Sequence, residues 1–193
     1  NHLSLLTSSR DNIIAADVET NRNPRLVYQS VTTTVYHLPL EGKGIKVIID
    51  RNTSDEQIIR KLLHEQYVSN FLPSSCRKRR VIDITSFERQ PALTFKWDSG
   101  ITVSDWIHIA RIDPHVDLNV RLRAAMAIAK TLSDFHDGGV VYNGLTPENI
   151  VLEPVGSDFV ATFVDLSSAI IYEEDKRFNV DAQFERRTKD LDL

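Results

Sequence analysis

The stretch that most restricts how this chain can fold runs from Gly138 to Ser168. The Gly138-Gly139 pair stops a long helical pattern and releases an apolar pair, Val140-Val141. A polar loop, Tyr142 to Asn149, comes next and closes on Pro147-Glu148-Asn149. The apolar run Ile150-Val151-Leu152 follows, then a turn, then Phe163-Val164 leading into Asp165. Two short apolar runs around one turn therefore carry a polar loop at one end and an acid at the other.

Upstream, β-branched and aromatic residues cluster in Leu26–Tyr28, Thr32–Tyr36 and Ile45–Ile49, the last two separated by Pro39 and Glu41-Gly42-Lys43-Gly44. Three antiparallel strands are the economical reading. Ser54 and Gln57 form a capping-box pattern, and Asp55 and Glu56 suit the positive end of a helix dipole. The helix they open carries Ile58, Ile59, Leu62, Leu63, Ser69, Phe71 and Leu72 on its apolar side. Glu65 projects from that side too, and a buried carboxylate needs a partner. Pro73 ends the helix. Two more strands follow, Val81–Thr85 and Ala92–Phe95, joined by a turn at Glu88-Arg89-Gln90-Pro91. A short helix over 104–110 and a long one over 117–136 complete the pattern. In the long helix Leu118, Leu122, Ala125, Ala129, Leu132 and His136 recur at steps of three and four, with Ala124, Met126 and Ile128 beside them. Residues 1–24 read as a leader or linker, and the charged segment Glu173–Arg177 as irregular.

Composition removes several classes of function. With 193 residues and 41% hydrophobic content there is room for one ordinary domain or two small lobes. A net charge of −4 gives no default attraction to nucleic acid or an anionic membrane. One cysteine, Cys76, excludes an internal disulfide framework and fits a reducing compartment. No apolar run approaches the ~20 residues of a membrane span. The expectation is a cytoplasmic protein without nucleic-acid or membrane partners. The six histidines show no ligand spacing with cysteine, so zinc is not expected. Arg77-Lys78-Arg79-Arg80 reads as a solvated turn rather than a docking patch for an acidic partner.

The order of elements, with Gly44-Ile45-Lys46-Val47-Ile48, Pro147-Glu148-Asn149-Ile150-Val151-Leu152 and Phe163-Val164-Asp165-Leu166-Ser167, resembles the protein kinase superfamily over residues 25–193. The resemblance implies an α+β, bilobal protein-kinase-like fold: a five-stranded antiparallel N-lobe with one helix, plus a truncated, mainly helical C-lobe. Its boundaries would be 1–24 for a leader, 25–98 for the N-lobe and hinge, and 99–193 for the first part of the C-lobe. The chain would then be a piece of a longer protein. It further implies ATP and Mg²⁺ as ligands. Lys46 would hold the phosphates with Glu65 as its ion-pair partner, and Asn149 and Asp165 would ligate the metal. Phe95 would stand at the gatekeeper position, and Lys96, Trp97 and Asp98 would offer backbone groups to the adenine.

Several positions depart from the family pattern. The loop Gln29–Val35 has no glycine, where the family uses glycine to bring backbone N–H groups close to phosphates. Tyr142-Asn143-Gly144 stands in place of His-Arg-Asp, so Gly144 occupies the position of the catalytic base and supplies no carboxylate. Thr146 replaces the expected lysine, Ser167 the D-F-G glycine, and no A-P-E motif follows; beyond Ser168 the hydroxyls are Tyr172 and Thr188. Glu88–Leu93 with Gly100–Val103 also looks like the kinase-like domain that opens very large sensor proteins bearing ATPase and histidine-kinase modules. The resemblance therefore implies a pseudokinase with a regulatory or scaffolding role in signalling, weak ATP–Mg²⁺ binding, and protein partners or further domains of the same chain. The alternative is an active serine/threonine kinase with an atypical catalytic loop.

Overall fold

The computed structural model describes residues 24–50 and 52–172. Residues 1–23 of the leader expected over 1–24, the segment Glu173–Arg177 and Thr188 lie outside them. The fold is α+β, with a five-stranded antiparallel sheet and three α-helices among the described residues.

The sheet is built from β1 (Arg25–Gln29), β2 (Thr33–Leu38), β3 (Lys43–Ile48), β4 (Val81–Phe87) and β5 (Gln90–Lys96), in the order β1-β2-β3-β5-β4. Helix α1 (Asp55–Phe71) is inserted after the third strand. The anticipated capping box forms: the Ser54 hydroxyl accepts from the Gln57 N–H at 3.3 Å, and the Gln57 carboxamide accepts from the Ser54 N–H at 3.2 Å. Strands β4 and β5 extend further than the sequence indicated. Their connection is a two-residue turn, Glu88-Arg89, with φ of 51° and 66°, the left-handed geometry that matches strand twist in tight hairpins. Pro91 therefore lies within β5, paired with Ser86.

Lys46 and Gly44 on β3 face Leu93 and Phe95 on β5, so these four side-chain positions share one sheet face. Helix α1 covers that face. Ile58 and Leu62 pack with Val35, Ile48, Val81, Ile84, Leu93 and Phe95 into one core cluster. Phe71, expected on the buried side, is 42% exposed, because the last turn buries Val68 and Ser69 instead and leaves Phe71 on the other side of the helix.

The remainder comprises β6 (Ile101–Thr102), α2 (Val103–Ile112), α3 (Leu118–Asp137), β7 (Val140–Val141), β8 (Ile150–Val155), β9 (Asp158–Phe163) and β10 (Ile170–Ile171). A three-stranded sheet, β6-β8-β9, lies against α3, and β7 pairs with β10. The side of α3 that becomes buried is not the expected one. Ala124, Thr131 and Phe135 face the core, whereas Leu118, Leu122, Ala125, Met126, Ala129 and His136 are exposed. Two apolar stripes overlap on this helix, and β9 takes the one centred on Thr131, whose hydroxyl donates to the Ala161 carbonyl at 2.9 Å. Val68, Leu72 and Cys76, at the end of α1 and just beyond, join the second core with Phe135, Tyr142, Phe163 and Leu166. No helix of the described residues is long and apolar enough to cross a membrane.

Candidate functional site

Lys46 is 3% exposed, and burying an ammonium in a strand requires counter-charge. It has two. Its Nζ lies 2.7 Å from Glu65 Oε2 on α1 and 3.0 Å from Asp165 Oδ1 beyond β9. Burial works against the charged lysine, but Glu65 and Asp165 outweigh it and raise its pKa. Glu65 itself is fully buried, as the helical pattern required.

The hairpin β8-β9 explains how Asn149 and Asp165 meet. Ile150 pairs with Phe163, and the Val164 N–H donates to the Asn149 carbonyl at 3.0 Å, so the residues just outside the hairpin's paired ends are neighbours. Asp165 Oδ1 also accepts the Ser167 N–H at 3.0 Å, which fixes the carboxylate in an Asx turn. Burial alone would push the Asp165 carboxyl up, but the Lys46 ammonium and the Ser167 hydrogen bonds hold it down at about 2. Below its ordinary 3.8 the unfolded carboxyl takes a proton that the folded one still refuses. The stabilisation, on the order of 2 kcal/mol, is therefore complete above pH ~4 and lost as pH falls towards 2. Urea midpoints measured from pH 5 to pH 2 should drop across that window, and Asp165→Asn should flatten the drop.

Asn149 Nδ2 donates to the Gly144 carbonyl at 3.0 Å, which commits the amide nitrogen and leaves its oxygen as the group offered outward. Tyr142, in the loop after β7, stacks on Phe163 with ring centroids 4.5 Å apart and meets Phe135 edge-on at 5.5 Å. Burial pushes its phenol pKa well up, so Tyr142 is a neutral packing element. Leu166 is fully buried in the same core. Gly144 has no side chain, yet a Cβ built there would meet only ordinary contacts, 3.4 Å from the Tyr142 ring and hydroxyl and 3.5 Å from Asn149 Nδ2.

Lys46, Asn149 and Asp165 line one cavity of about 510 Å³. Val27 and Val35 contribute from the sheet, and Val151 and Val164 from the β8-β9 hairpin. A second cavity of about 660 Å³ lies elsewhere, between α3, β9 and the loop around Cys76, and contains none of these groups. Size does not identify the site here; the convergence of charge does.

Two of the backbone donors expected to face a nucleotide base are engaged within the protein. The Lys96 N–H donates to the Arg80 carbonyl and the Trp97 N–H to the Gly42 carbonyl, both at 2.9 Å. Those two backbone donors are spent within the protein, and the Lys96 side chain is exposed. The side chains of Trp97 and Asp98 do line the cavity. Phe95 is fully buried, and a Cβ on Gly44 would lie 2.3 Å from its ring, so Phe95 fills the space beneath that glycine. Arg79, assigned to a solvated basic run, is also buried, at 9% exposure. Its guanidinium lies 3.9 Å from the Phe95 ring centroid and its Nε 3.6 Å from Asp98 Oδ2. Lys78 turns the other way and donates to the Leu72 and Pro73 carbonyls at the end of α1. Arg79 is the cavity-lining residue that sequence reasoning missed; the buried–exposed–buried alternation of Arg79, Arg80 and Val81 leading into β4 is the signal that could have found it.

The turn between β1 and β2 closes on itself. Ser30 Oγ accepts from the Thr33 N–H at 3.0 Å and the Thr32 N–H at 3.3 Å, while the Ser30 N–H donates to the Thr33 carbonyl at 2.8 Å. Backbone donors that a phosphate-binding loop would direct at its ligand are held by a serine here.

Among the described residues no three His, Cys, Asp or Glu side chains are grouped to hold a metal. One carboxylate, Asp165, and one amide oxygen, Asn149, fit a hard cation that takes its remaining ligands from water and phosphate. No protein-family model matches this sequence, and no curated protein matches it either.

Proposed function

We propose that this chain is a protein-kinase-like domain of bilobal type that binds a nucleoside triphosphate with Mg²⁺ and acts as a pseudokinase. The observation that carries the reading is the meeting of Lys46, Asn149 and Asp165 at one cleft, with Glu65 buried against Lys46, beside a loop position, Gly144, that has no side chain. Lys46 would hold phosphate oxygens, and its release from Asp165 would free that carboxylate for the cation. Mg²⁺ would supply charge neutralisation between phosphates, held by Asn149 and Asp165. With no carboxylate at 144, a substrate hydroxyl would lack both an orienting group and a proton acceptor. Occupancy of the cleft, rather than turnover, would then be the output, read by partner proteins or neighbouring domains in signalling.

Thermal unfolding with ATP and the other nucleoside triphosphates, with and without Mg²⁺, tests this reading. A Mg²⁺-dependent rise in melting temperature, lost in Asp165→Ala and unaccompanied by phosphate transfer, is the expected result. A melting temperature indifferent to every nucleotide would overturn nucleotide binding. Transfer that Asp165→Ala abolishes would favour the active serine/threonine kinase instead.

A further inference from the structure

The cavity between α3, β9 and the loop around Cys76 opens onto a strand edge. The Val164 N–H bonds to the Asn149 carbonyl, and hydrogen-bonded pairs alternate along an antiparallel ladder. Phe163, Ala161 and Phe159 therefore turn their N–H and C=O groups away from β8. At Phe163 that outward edge is occupied: its N–H donates to the Arg77 carbonyl at 3.2 Å, and its carbonyl accepts the Arg79 N–H at 2.8 Å. Upstream of Arg77 the chain turns away towards the end of α1, with the Cys76 N–H on the Pro73 carbonyl, and the edge runs on without it. Thr131 takes the Ala161 carbonyl, but no described residue bonds the Ala161 N–H or either backbone group of Phe159. Phe159 and Ala161 line the cavity with Met126, an apolar side chain left 69% exposed on α3. A bare strand edge beside uncovered apolar surface is a template for one more strand.

We infer that residues 178–184 of this chain occupy that cavity as an added strand, antiparallel to β9, whatever the cleft around Lys46 binds. Phe178-Asn179-Val180-Asp181-Ala182-Gln183-Phe184 alternates apolar and polar residues without a break, the pattern of a half-buried strand. The described chain leads to the cavity's mouth. The Tyr172 N–H donates to the Gly139 carbonyl at 2.7 Å, and the neighbouring Gly138 and Asp137 line the cavity. Fully extended, residues 173–177 reach about 17 Å, enough to turn into it. Charge agrees at that end, where Lys176-Arg177 would arrive beside Asp134 and Asp137. Helix α3 runs in the same direction as β9, because Thr131 bonds Ala161 and Phe135 packs on Phe163. A segment that enters beside Gly138 and passes back towards Arg123 is therefore antiparallel to β9. The stretch of α3 from Arg123 to Gly138 is about 22 Å long at helical rise, against about 23 Å for residues 178–184 as a strand. Arg77 and Arg123 line the route without an ion-pair partner among the described residues, and Asp181 is the acid that the segment would bring to them.

Amide hydrogen exchange on the full chain tests this. The Phe159 and Ala161 amides should exchange slowly, and Val180→Asp, which places a carboxylate on the apolar side of the added strand, should speed them by about tenfold or more. Asn179→Asp, on the polar side, should leave them as they are. Unchanged protection of Ile45 and Val47 in β3 shows that each variant has folded. Fast exchange at Phe159 and Ala161 in the wild-type chain, or no response to Val180→Asp, would overturn the inference. Position is read separately by Met126→Cys with Val180→Cys, in a chain that also carries Cys76→Ala. Oxidation should join the two cysteines within one chain. A disulfide between two chains would overturn docking in cis and give the edge to the segment of a second copy. Should Val180→Asp prevent folding, the wild-type exchange rates and the disulfide decide.

Discussion

Lys46→Met should cost about 3–5 kcal/mol of folding stability, a large share of what a domain of this size has to lose. Removing the ammonium leaves Glu65, fully buried on α1, and Asp165 as two carboxylates without a cation between them. Glu65 Oε1 has no hydrogen-bond partner even in the intact pair, so Lys46 supplies the charge compensation seen at that carboxylate. Urea denaturation of the single variant would register the loss. The double variant Lys46→Met/Glu65→Leu should recover most of it, since an apolar pair of similar volume replaces a buried ion pair at little net cost. A single variant as stable as the parent would mean that Glu65 reaches water, contrary to its burial.

If the cleft binds a nucleotide as proposed, Gly144→Asp should make it a catalyst. A Cβ at residue 144 meets nothing closer than 3.4 Å, so the backbone can accept a side chain without displacing Tyr142 or Asn149. A positioned carboxylate that accepts the proton of an attacking hydroxyl typically contributes 10²–10⁴-fold in rate, roughly 3–5 kcal/mol of barrier. Phosphate transfer to a generic protein substrate, supplied with the nucleotide that binds best, should rise by about that factor, and Thr146→Lys should add to it. A variant that folds, binds nucleotide and still transfers nothing would show that the cleft lacks more than its base.

The parts of this site that were legible in the sequence are those set by local pattern. Glu65 could be placed on the buried side of α1 from helical spacing alone, and a buried carboxylate demands a cation such as Lys46. Asn149 and Asp165 bracket a hairpin, so their proximity follows once Ile150–Leu152 and Phe163 are read as its strands. The face of α3 was not legible, because Leu118, Leu122 and Met126 form as good a stripe as Ala124, Ile128 and Phe135. Only the strand that docks there chooses between them. Arg79 was hidden for a related reason: a run of four basic residues reads as surface, although alternation sends its members to different sides. That Phe95 fills the hollow over Gly44 depends on a pairing register no local pattern reports.

The serine-capped turn between β1 and β2 has a kinetic consequence. If the cleft takes a nucleotide as proposed, a loop whose Thr32 and Thr33 N–H groups are already bound to Ser30 would gain little by closing on its phosphates. Residence times in such a groove would be short, and its occupancy would follow the surrounding nucleotide pool from moment to moment instead of storing a past signal.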